Sequence, residues 1–112
     1  MKRFFGLIFI TTTLSASNLG ETLFQGNCVT CHAIQKANSA PSIQAIQTRY
    51  KEKFPTKEDF VSFMAQWILK PNAKTALMPE AIAQYELMPI LGYDKESLEE
   101  IARYLYDATW QP

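Results

Sequence analysis

Cys28-Val29-Thr30-Cys31-His32 contains both cysteines and the single histidine of this 112-residue chain. Three chemistries compete for such a run. A thioredoxin-like dithiol pair sits in a βαβ context, with a strand before it and a sheet after it. Neither flank here reads as a strand. A structural zinc site takes four Cys or His ligands, more than the chain possesses. Covalent haem attachment needs this spacing. Two thiols one helical turn apart reach the two vinyl groups on one edge of the ring, and the adjacent imidazole turns under it to meet the iron. The motif therefore points to one haem bound through Cys28 and Cys31, with His32 as proximal ligand. A plain disulfide beside an uninvolved histidine is the bland alternative.

The flanks read as helices. Before the motif, Asn18 is an N-cap candidate with Glu21 three residues on, and Leu19, Gly20, Leu23 and Phe24 share one side. Gly26 is expected to break this helix so that the chain can turn into the motif. After a polar loop at 33–40, Pro41-Ser42 opens a second helix bearing Ile43, Ile46 and Tyr50. Thr56 caps a third, with Asp59 three residues later. Its stripe is Phe60, Phe63, Met64, Trp67 and Ile68, and Pro71 stops it. Residues 71–93 read as loop, with a helical turn or two at 79–85; loops of this length are usually functional. Asp94 caps the last helix, whose Leu98, Ile101, Ala102 and Leu105 follow i, i+3, i+4, i+7 spacing. The class is all-α, about four short helices with no strand.

Residues 1–16 have the layout of an export signal. Lys2-Arg3 precede an apolar run, and Ser15-Ala16-Ser17 suit a signal peptidase, with cleavage expected after Ala16. The run is about eleven residues, against the roughly 20 that a spanning helix requires, so no transmembrane anchor is expected in the mature chain. The expected division is a leader at 1–16 and one domain at 17–112. Loss of Lys2 and Arg3 turns 11 basic and 11 acidic side chains into 9 and 11, a net charge of −2. Nucleic-acid binding, which needs a basic footprint, is excluded. The remaining 96 residues can bury only a modest core, which a bound haem would enlarge.

A haem that only passes electrons needs a second axial ligand. No second histidine exists, so methionine, lysine, tyrosine or water remain. Met1 leaves with the leader and Met64 reads as core. Met78 and Met88, each followed by proline, remain as candidates. Met88 is the preferred one, with Met78 kept open. It has the apolar neighbours Leu87, Ile90 and Leu91, and lies six residues before the Asp94 cap.

Taken together, the mature chain resembles a small class I bacterial cytochrome c along nearly its whole length. The resemblance implies that Gly20 and Phe24 of the first helix cross the last helix near Ile101 and Tyr104. It places thioether and proximal positions on Cys28, Cys31 and His32, and the distal Met on Met88, so that His32 and Met88 ligate the metal. It also gives Pro41 a role, offering its carbonyl to the proximal ring N–H; Ala40 stands before it where the family usually has Gly. Tyr50, Trp67, Phe60 and Phe63 are expected to line or back the haem pocket. The implied function is periplasmic, non-enzymatic electron transfer as a monomer, cycling Fe(III)/Fe(II) between membrane or periplasmic oxidoreductases. The alternative is a haem-based ligand sensor or small haem enzyme with a labile distal Met.

Overall fold

Capping side chains start three of the helices. Ser42, Thr56 and Asp94 each adopt an extended backbone and accept from an amide three residues on, at Ala45 (3.2 Å), Asp59 (3.3 Å) and Ser97 (2.7 Å). Each satisfies a donor that a helix start leaves without an intrahelical partner. The computed structural model describes residues 6–8 and 16–110. It contains α1 (Ala16–Asn27), α2 (Ile43–Lys53), α3 (Lys57–Leu69), α4 (Pro79–Tyr85) and α5 (Lys95–Asp107). The described residues include no strand, so the class is all-α as expected. The expected leader lies outside the described residues apart from 6–8 and Ala16.

One boundary differs from the sequence reading: Asn18, expected to cap α1, lies inside it. α1 ends at Asn27, one residue after Gly26. The Cys28 amide still bonds to the Phe24 carbonyl at 2.9 Å, carrying the helical pattern past the glycine. α4 occupies the seven residues at 79–85, about two turns, where the sequence reading allowed a helical turn or two. Pro79 starts it, pre-set at helical φ.

α5 is the central element, packed mainly on α1 and α3 and more lightly on α2. At the α1–α5 crossing a Cβ on Gly20 would collide with the Glu100 carbonyl oxygen and lie 2.9 Å from Tyr104 Cβ. Only the bare backbone of glycine permits that approach. One turn on, Phe24 is fully buried, its ring 5.5 Å from that of Tyr104. Leu19, expected on the same side, is exposed. From α3, Phe60, Val61, Met64 and Ala65 enter the core, and from α5 Leu98, Ile101, Ala102 and Leu105. α2 also straps the end of α5, because Gln47 Nε2 donates to the carbonyls of Leu105 (2.8 Å) and Ala108 (2.7 Å).

Candidate haem-binding cavity

The motif continues α1 by one helical turn. The Cys28 amide bonds back to Phe24 and the His32 amide to the Cys28 carbonyl, both at 2.9 Å. Both cysteines are free thiols, Cys28 half-buried and Cys31 exposed. Burial, and secondarily the neighbouring Cys31, push the Cys28 thiol up to about 11.

The 33–40 loop folds back so that the carbonyls of Ala33 and Ile34 accept from the amides of Ile43 (2.9 Å) and Gln44 (3.0 Å), the first turn of α2. This brings Pro41 to His32. Nδ1 of His32 lies 2.8 Å from the Pro41 carbonyl oxygen. A carbonyl can only accept, so Nδ1 carries the hydrogen and the lone pair is left on Nε2. Burial lowers the His32 pKa, partly opposed by the Pro41 bond. The lowered pKa favours the neutral ring, the form that ligates metal.

These groups line one cavity that is open to solvent on one side. Cys28, Cys31, His32 and Pro41 contribute from the motif side of the sequence, Ile43, Ile46 and Tyr50 from α2, and Met64, Trp67 and Ile68 from α3. Residues 76–91 supply much of the remainder, including Met78, Ile82, Tyr85 and Met88. Tyr50 is buried, which raises the pKa of its phenol. Trp67 Nε1 donates to the Asn72 carbonyl at 3.0 Å. Phe60 and Phe63 do not line the cavity. They back it, with rings 5.7 and 6.0 Å from that of Tyr50.

The structure thus gathers Cys28, Cys31, His32, Pro41, Tyr50, Trp67 and Met88 around one space. It adds Met78 and also Met64, which is both core and lining. The donor set fits a haem: two thiols on one helical turn, a neutral imidazole with Nε2 free, thioether sulfurs and apolar walls. Sequence reasoning missed two ties beside this cavity. Arg49 bonds to the Leu77 carbonyl and to Glu80, and the Tyr93 hydroxyl donates to Asn27 Oδ1. Neither pairing has a spacing signal, since the partners lie 28 to 66 residues apart.

A protein of Aquifex aeolicus (strain VF5), described only as uncharacterized, is 25% identical over 109 residues, covering 78% of this chain and 71% of that one. No solved structure gives a significant match. The family model described as Cytochrome c matches residues 17–109. The chain belongs to the cytochrome c family, whose members bind haem covalently and carry electrons on it.

Proposed function

We propose that this chain is an exported single-haem electron carrier, with thioethers at Cys28 and Cys31 and iron ligands His32 and Met88. The observation that carries the proposal is the His32–Pro41 hydrogen bond in a cavity shared with both thiols and the methionines. Once bound, the haem supplies a one-electron Fe(III)/Fe(II) couple. The chain's residues do the rest. The Pro41 carbonyl fixes the His32 ring and strengthens donation from Nε2. Tyr50, Trp67, Ile43 and Ile68 give the cavity a mainly apolar lining, which would disfavour the more highly charged ferric state of a bound haem. With His32 and Met88 both holding the iron, a bound haem would have no site for substrate and would supply one-electron transfer alone, the role of a carrier and not of an enzyme.

Met88 is preferred over Met78 because it lies in the 87–93 segment that leads directly into the α5 cap. Residues 1–16 serve as the cleaved leader, which places the domain at 17–112 in the periplasm. No described helix is long and apolar enough to cross a membrane. The partners are periplasmic or membrane oxidoreductases, met as a monomer through small, weak contacts.

The test is absorption spectroscopy of holoprotein made with haem-attachment machinery, for wild type, Met88→Ala and Met78→Ala. The expected result is the weak far-red band of thioether-ligated Fe(III) in wild type, lost only in Met88→Ala. Loss only in Met78→Ala reassigns the ligand. Absence of the band from wild type, with ready carbon monoxide binding to the reduced protein, favours the ligand-sensor or haem-enzyme alternative.

A further inference from the structure

α4 starts without local help. Its N-cap is Met78, no side chain caps its first amides, and Pro79 follows. A seven-residue helix of this kind is marginal on its own. Support comes from α2. Arg49 Nη1 donates to the Leu77 carbonyl at 2.8 Å and Nη2 to Glu80 Oε1 at 2.5 Å. The two acceptors flank Met78-Pro79, so one guanidinium spans the corner where α4 begins. Leu77, Met78, Ala81 and Ile82 all line the cavity, as does Tyr50, the residue next to Arg49.

We propose that Arg49 is a positioning residue: its guanidinium fork fixes the Met78 corner against α2 and thereby sets the cavity wall that α4 forms. This rests on the haem reading above. The competing view is an ordinary surface ion pair. Arg49 and Glu80 side chains are 41% and 55% exposed, so the charge attraction alone is weak. What distinguishes the pair is the second hydrogen bond, to a backbone carbonyl in the wall. A planar fork can serve both acceptors in fixed geometry, whereas a lysine ammonium is a point charge. The molecule supplies its own control. Lys57–Asp107 has the same 2.5 Å separation and similar exposures of 43% and 55%, and neither residue lines the cavity.

The experiment compares wild type with Arg49→Gln, Arg49→Lys, Glu80→Gln and Lys57→Gln. Three quantities are read: amide hydrogen exchange in α4, the reduction potential, and carbon monoxide association with the reduced holoprotein. Arg49→Gln is expected to speed exchange in α4 several-fold, shift the potential and raise carbon monoxide association. Glu80→Gln, which keeps the Leu77 bond, should move all three less, and Arg49→Lys should fall between. Lys57→Gln should move none. Arg49→Gln matching Lys57→Gln in all three overturns the proposal. A wild-type chain that takes up no haem removes the haem reading instead, and the exchange comparison on that same chain still supports or overturns the clamp.

Discussion

The His32 ring has its tautomer chosen by one acceptor. With Nδ1–H committed to the Pro41 carbonyl, Nε2 is the only nitrogen left to ligate. Gly20 shows equal dependence on a single atom, here one that is absent. Gly20→Ala places a methyl group against the Glu100 carbonyl and is expected to cost about 1–3 kcal/mol as overpacking. Chemical denaturation of the holoprotein checks this, with Gly26→Ala, where a Cβ meets nothing, as the neutral or stabilising counterpart. The motif, His32 and Gly20 were legible as residue types at particular positions, whereas the Pro41 contact was legible only through the family resemblance. Arg49 was not, because a guanidinium reaching a backbone carbonyl 28 residues away leaves no trace in side-chain identity.

Helix starts were readable where a capping side chain does the work. Thr56→Ala is expected to lose about 1 kcal/mol, measured as a lower denaturation midpoint. Asp94 adds a pH dependence. Hydrogen bonds from the Ser97 side chain and amide lower its carboxyl pKa below the ordinary value. A lowered folded pKa contributes stability that is present above the unfolded value and lost as pH falls through the folded one. Asp94→Asn keeps a capping oxygen but cannot titrate, so its stability should fall less steeply than that of wild type in the acid range. Helix ends were less legible. The last carbonyls of α5 are served from α2 by Gln47, so Gln47→Ala should destabilise the protein by roughly 1–3 kcal/mol through the acceptors it strands. α4, legible only as a turn or two, starts on contact with α2 and not on a local cap.

At the scale of the molecule, core and cavity share residues. Tyr50, Met64, Ile101 and Leu105 are buried in the protein and also line the space proposed for haem. The hydrophobic spacing of α3 and α5 revealed their inward faces. It could not divide those faces between protein core and cofactor, since both bury the same side chains. Phe60 and Phe63, set behind Tyr50, show the division that only three dimensions provide. A chain of this size that must also line a large apolar cavity has little core to spare. Cys28→Ala/Cys31→Ala, made without haem, is therefore expected to unfold at a markedly lower temperature than holoprotein, read by far-ultraviolet circular dichroism.

The central claim is one haem covalently attached at Cys28 and Cys31, and intact-mass measurement tests it most directly. Protein produced in an exporting host with haem-attachment machinery should carry the mass of one haem on a chain beginning at Ser17. The same measurement on Cys28→Ala/Cys31→Ala should return the bare chain. A wild-type protein with the mass of the bare chain and both thiols open to alkylation, in a host that loads other cytochromes, would contradict the account.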